Sequence, residues 1–294
     1  MRVFVTGASG FVGSAIVKDL LQAGHQVTGL ARSDQSAAQL IDSGAAVHRG
    51  DLEDMESLKQ GTERCDAVIH TAFNHDFSRF KTNCEADRQV IIALGDALAG
   101  TDRPLVITSG VGLLSYGREV SENDTPPTAE QMPRAASEEA ATAVEKKGGK
   151  VYVVRLPPTV HDHGDHGFVP MLIGLAKDKG ESVYMDQGKN HWPAVHRLDA
   201  ATIYRLIIEQ QPEQRVFHAV AEQGIAFKRI AEAIASGLKI PASSKSKEQA
   251  AAHFGWFAHF AAMDCPASSR MTRETLAWEP KQIGLLEDLE RSYF

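Results

Sequence analysis

The first residues, RVFVTGASGFVGSAIVKDLLQAG, set three glycines, Gly7, Gly10 and Gly13, between a β-branched apolar run and a segment with helical period. A strand that turns this tightly into a helix needs a crossover to reach its next neighbour, and such crossovers build parallel sheets. The alternation then repeats through HQVTGLAR, SAAQLIDSG, AAVHRGD, CDAVIHTA, NCEADRQVIIALGDALAG, PLVITSG, PRAASEEAATAVEKK and VYVVRLPP. Strands and helices in this order predict an α/β fold, a doubly wound parallel sheet covered on both faces. After about residue 158 the rhythm loosens into a His/Gly loop, a helix near 168–179, the strand-like PAVHRLD, a helix near 199–210 and RVFHAVA. The expected organisation is one domain over 1–158 and a smaller mixed C-terminal lobe over 159–294, with segments returning to the sheet.

Composition narrows the partners. At 294 residues with a net charge of −7 and no basic run, the chain is suited neither to nucleic acid nor to an anionic membrane. A small-molecule substrate is the expected partner, bound by a monomer or homodimer. Three scattered cysteines, Cys65, Cys84 and Cys265, fit reduced thiols better than a disulfide framework. No apolar run reaches the roughly 18 residues a membrane helix needs, and a cytoplasmic location is expected.

Glycines at a strand-to-helix turn let the chain reverse, let backbone N–H groups approach a pyrophosphate, and let helix pack on strand. Thr6, Gly7, Ser9, Gly10, Phe11, Val12 and Gly13 are therefore candidates for holding a dinucleotide, in a Rossmann-type arrangement. The spacing is Gly-x-x-Gly-x-x-Gly after a threonine. This variant resembles the extended branch of the short-chain dehydrogenase/reductase superfamily, whose members include NAD-dependent epimerases and dehydratases. Later motifs carry the same resemblance: GDL at 50–52, VIHTA at 68–72, TSG followed by SYG at 115–117, VVRLPPTV, PAVHRLDAA and LAWEP. The resemblance implies that Asp51 and Leu52 meet the adenine, that Thr71, Ala72 and Ser109 line the cofactor, and that Pro157 lies beside the nicotinamide.

The second strand ends in GLARSD. A carboxylate at that tip would accept from a ribose 2′-hydroxyl, whereas Arg32 pairs with a 2′-phosphate and Ser33 donates to it. NADP(H) is the expected cofactor and NAD the less favoured one. The alternative makes Arg32 an ordinary surface arginine and gives the carboxylate role to Asp34.

In this superfamily a Tyr-x-x-x-Lys pair on the helix after the fifth strand moves the proton and holds the nicotinamide ribose. Aligned on Ser137, that pair falls on Arg134 and Glu138, so the resemblance puts catalytic candidates at Ser109, Tyr116, Arg134 and Glu138 while replacing the two usual groups. Arginine stays protonated near neutrality, so Arg134 orients an oxygen but transfers no proton. Taken alone, Arg134 and Glu138 form an exposed i,i+4 pair in the weaker order, worth a few tenths of a kcal/mol. Tyr116 is a substitute acid, or else a packed loop aromatic. The run His161, Asp162, His163, Asp165, His166 reads as a glycine-containing substrate loop; its spacing is irregular for a metal, and none is expected. Trp256, Phe257 and Phe260 read as lobe core or as an apolar substrate wall. The activity expected is an NADP(H)-dependent oxidoreductase acting on a small carbonyl or alcohol. A non-catalytic NADP(H) sensor is the rival, and a nucleotide-sugar epimerase or dehydratase, which leans on the absent tyrosine, is the third reading.

Overall fold

A computed structural model describes all residues, 1–294. In chain order the first half runs β1 (Arg2–Thr6), α1 (Phe11–Gln22), β2 (Gln26–Ala31), α2 (Asp34–Ser43), β3 (Ala46–Arg49), α3 (Met55–Thr62), β4 (Ala67–His70), α4 (Phe80–Ala97) and β5 (Leu105–Gly110). A 3-10 turn at Pro133–Ala135 leads into α5 (Ala136–Lys146), then β6 (Val151–Leu156), β7 (Thr159–His161), α6 (Phe168–Lys179), β8 (Ser182–Met185), β9 (His191–His196), α7 (Arg197–Gln210) and β10 (Val216–His218). The main sheet has seven parallel strands in the order β10-β6-β5-β4-β1-β2-β3, with the order reversing between β1 and β4. In open α/β sheets ligands bind at the strand carboxyl ends beside such a switch point.

Side-chain alternation along β1 divides the core. Val3 and Val5 join Ile16, Leu20 and the buried face of α7 on one side, while Phe4 joins Leu58, Ile91 and Leu94 on the other. Helices α1 and α7 pack together on the first face, and α4 packs on α5 on the second. The later elements form smaller sheets: β7 and β9 with β11 (Glu222–Ala226), and β8 with β12 (Ala242–Lys245). Their core gathers Trp192, Phe227, Phe254 and Phe257.

Two tethers close the molecule. His196 caps α7 by accepting at Nδ1 from the Leu198 amide, 3.2 Å away. The Asp199 carboxylate accepts from the amides of Lys281 and Gln282, while Trp278 of the LAWEP segment donates its indole N–H to the Asp199 carbonyl. No helix is long and apolar enough to cross a membrane. All three cysteines are free and buried.

Candidate functional site

The turn from β1 to α1 is a backbone construction. Gly7 has φ +70°, and a Cβ there would lie 2.6 Å from the Ala72 amide nitrogen and 2.7 Å from Thr71 Oγ1. Only glycine fits both the torsion and the closeness of the β4 end. A Cβ on Gly13 would sit 2.0 Å from the Gly7 carbonyl oxygen, so helix and loop touch through bare backbone. Gly10 differs: its Cβ would meet nothing but the Gly7 oxygen, at 3.1 Å, and would otherwise point into open space. Helix α1 begins on Gly10 with no side-chain cap, which leaves its first-turn N–H groups facing that space. Open room before an uncapped helix N-terminus, with the amides of Phe11, Val12 and Gly13 free of side-chain caps, is an arrangement suited to an anion such as a pyrophosphate. Thr71 donates its hydroxyl to the Thr6 carbonyl, 2.9 Å away, and joins the β4 end to the same turn.

At the β2 tip, Arg32 is 84% exposed in its side chain and lies 3.8 Å from Asp51. Ser33 caps α2 by accepting from the Ser36 amide, and Asp34 pairs with Arg49 at 2.6 Å. The carboxylate of the alternative reading meets Arg49 only at the open surface, and Arg32 reaches outward beside Asp51. Leu52 is half-buried against the core cluster around Leu58, and Pro157 is buried just past β6.

The helix end of the site departs from expectation. Arg134 and Glu138 are no exposed pair and do not bond each other. The 3-10 turn that carries Arg134 and the α5 face that carries Glu138 are pressed on α4 and the sheet, which leaves 17% of the Arg134 side chain and 8% of the Glu138 side chain exposed. Arg134 donates to Asp87 Oδ2 at 2.9 Å, to the Thr108 carbonyl at 2.9 Å and to Ser137 Oγ. Its guanidinium lies under the Phe73 ring, 4.3 Å from the centroid. Asp87 meets His70 Nε2 at 2.9 Å, and His70 Nδ1 meets Thr6 Oγ1 at 2.6 Å. One buried chain therefore links the phosphate turn to the head of α5. Burial by itself would raise the Asp87 pKa, but Arg134, His70 and Ser137 outweigh it and hold the carboxyl at about 2.

Glu138 sits in a second chain. Both its oxygens accept from Arg155, at 2.9 and 2.7 Å, and Ser109 donates its hydroxyl to Oε1 at 2.7 Å. Arg155, only 2% exposed, also donates to the Asp124 carbonyl and lies 3.3 Å from His218 Nε2. Burial, then the Arg155 charge, pulls the His218 pKa down to about 3. Tyr116 is exposed, donates its hydroxyl to the Thr125 carbonyl at 2.6 Å, and bonds none of Ser109, Arg134 or Glu138.

Asp87 and Arg155 were missed on sequence. An arginine inside the apolar strand VYVVRL was the available signal, because a buried guanidinium must find a carboxylate. The histidine-rich loop disperses: His161 pairs with Asp288, Asp162 with Arg197, and Asp165 accepts from Tyr293. His166 turns toward the phosphate turn, its ring 5.7 Å from that of Phe11.

Residues 3–219 match the model of the NAD dependent epimerase/dehydratase family. An uncharacterized protein of Schizosaccharomyces pombe is 48% identical over 98% of both chains. The sterol-4-alpha-carboxylate 3-dehydrogenase, decarboxylating, of Dictyostelium discoideum is 28% identical, covering 78% of this chain and 74% of the relative. Among solved structures, the UDP-glucose 4-epimerase of Thermus thermophilus in complex with NAD superposes with a TM-score of 0.73 at 18% identity, over 99% of this chain and 97% of the other. The glycine turn, the switch-point sheet and these matches lead to one statement: the chain belongs to the NAD-dependent epimerase/dehydratase family, the NAD(P)-binding extended branch of the short-chain dehydrogenases/reductases.

Proposed function

We propose that the protein is an NADP(H)-dependent oxidoreductase that reduces a small carbonyl compound or oxidises the matching alcohol. The observation that carries the cofactor choice is the β2 tip, where the Arg32 guanidinium directly follows the strand and stands open beside the Ser33 cap. A guanidinium there attracts a 2′-phosphate. The named dehydrogenase among the relatives supports the redox direction. When bound, the nicotinamide supplies the hydride.

The chain's own groups hold and orient. The Gly7–Gly13 turn takes the pyrophosphate, Asp51 and Leu52 take the adenine, and Thr71, Ala72 and Pro157 border the nicotinamide. Of the five guanidinium N–H groups of Arg134, three are spent on Asp87, Ser137 and Thr108; the Nε–H and one Nη2–H remain for a substrate oxygen. Ser109 and Glu138 stand behind it, with Glu138 fixing the serine hydroxyl. Their part is positioning and charge balance; the proton comes from elsewhere.

A second reading, an NADP(H)-binding sensor without turnover, is favoured by the saturation of Glu138 and the engagement of Tyr116. One experiment separates them. NADPH and NADH are titrated by fluorescence, then NADPH absorbance is followed with aldehydes and ketones. Tighter NADPH binding with consumption supports the oxidoreductase, and binding without consumption across the panel supports the sensor. Arg32→Asp should weaken NADPH binding by about 2 kcal/mol through loss of a charge-assisted contact. A wild-type preference for NADH would refute the role given to Arg32.

A further inference from the structure

We propose that the face between the loop 71–80 and residues 254–263 is the substrate pocket, that it takes a flat, apolar, conjugated carbonyl compound, and that His75 exchanges the proton. The proposal rests on the oxidoreductase reading and adds the substrate class and the acid.

The loop follows β4 directly, and its first residues, Thr71 and Ala72, press on Gly7. Phe73 covers the Arg134 guanidinium, and Arg134 is tied to the Thr108 carbonyl at the end of β5. The His75 ring stands edge-on to Phe73, with centroids 5.3 Å apart. Phe77 continues the wall, with Trp256 at 5.4 Å and Phe260 at 5.5 Å. Aromatic rings thus run unbroken from the β4–β5 ends to the lobe.

The outer wall is not core. Phe257 is 1% exposed, but its neighbour Trp256 is 61% exposed and keeps its ring beside Phe77. Partly open aromatic rings present faces and edges to a flat conjugated molecule, which stacks on them at little entropic cost. A nucleotide sugar is a poor occupant, because the wall is aromatic, Arg197 is committed to Asp162, and Asp87 balances the charge of Arg134, whose two remaining N–H groups suit one carbonyl oxygen better than a diphosphate.

His75 has solvent-exposed surface, yet three charges from other elements act on it: Arg134 before α5, His166 before α6 and Asp87 on α4. Crowding by the walls, then the charges of Arg134 and His166, lower its pKa against the smaller opposing pull of Asp87. In reduction the carbonyl carbon gains the hydride of the reduced nicotinamide and the π pair moves onto oxygen. The oxygen then takes a proton from the His75 imidazolium, leaving an alcohol and a neutral imidazole that solvent reprotonates. The reverse step uses the neutral imidazole as base. Reduction therefore quickens as pH falls toward the lowered His75 value, and alcohol oxidation quickens as pH rises.

The test uses the full chain with NADPH and three probes: 4-phenyl-3-buten-2-one, 2-octanone and UDP-glucose. Trp192 and Trp278 are buried, so quenching of the exposed Trp256, lost in Trp256→Phe, reports occupancy independently of turnover. The enone should quench and be reduced with a KM about tenfold or more below that of 2-octanone, and UDP-glucose should do neither. Phe77→Ala should raise the enone KM roughly tenfold with kcat little changed, as expected for one lost stacking ring. His75→Gln should lower kcat by about a hundredfold or more and remove the acidic rise, with NADPH affinity and enone quenching intact. Tight UDP-glucose binding, or a Phe77→Ala variant with an unchanged KM, would overturn the pocket. A His75→Gln variant with the wild-type rate and pH profile would overturn the acid. Quenching by the enone without NADPH consumption would uphold the pocket and refute the oxidoreductase reading beneath it.

Discussion

The two ends of the site are built from different materials. At the phosphate turn Gly7, Gly10 and Gly13 contribute torsions and absences, and the groups facing the ligand space are backbone amides. At the head of α5 almost everything is side-chain charge: Arg134 with Asp87 and His70, and Glu138 with Arg155 and Ser109. A backbone cradle tolerates varied neighbours provided the glycines stay. A buried charge chain behaves in the opposite way, because each group is acceptable only while its partner remains.

The sharpest way to break that contrast is Glu138→Ala. It strands the Arg155 guanidinium in the sheet and should lower unfolding stability by about 3–5 kcal/mol in urea. Replacing both partners, Glu138→Met with Arg155→Leu, should recover most of the loss. A single variant as stable as the wild type would mean the chain is not the structural unit it resembles. Arg134→Ala should cost about 3 kcal/mol, the low end of that range because part of the guanidinium is exposed, with Asp87 left unpaired. Its melting temperature should drop clearly, unlike that of an exposed helix pair.

At the other end Gly10→Val should leave folding stability near wild type and weaken dinucleotide binding on the order of a hundredfold, because the new side chain enters the space before α1. Circular dichroism checks the first half and titration the second. Near neutral pH the smallest effect is the onset of a slope. The His218 pKa is depressed from 6.5 to about 3. Above 6.5 its contribution is fully present, and it is lost as pH falls through that window, because the unfolded chain takes the proton first. Asp87, depressed from 3.8 to about 2, adds to the decline below pH 4. Stability should therefore fall by up to about 1.4 kcal/mol per pH unit below 6.5 for one such group, and His218→Gln should flatten the curve.

Legibility followed the same division. The glycine turn and the strand–helix alternation could be read from the sequence because each is local: neighbouring residues fix torsion and period. The burial of α5 was not local. Arg134 meets Asp87 across 47 positions and Glu138 meets Arg155 across 17, and only the packing of α4, α5 and β6 brings these partners together. A helical pattern reveals which residues share a face, but not whether that face is wet. His75 was hidden for a related reason, since its loop FNHDF carries no period and its ring takes its meaning from Phe73 and Phe77, the latter packed on Trp256.

The place of β10 bears on how the protein is made. Its strand, Val216–His218, completes the sheet by pairing with β6, although everything from β7 to the end of α7 lies between them in the chain. At roughly 5–20 residues per second a ribosome takes on the order of several seconds to deliver that segment. During this interval Val153–Arg155 form the sheet's bare edge, with α7 not yet laid over α1. An apolar edge left open for that long is a template for pairing with another nascent chain. Arg155, the last residue of that edge, sets a charge beside the apolar run and makes it poor company for a foreign strand.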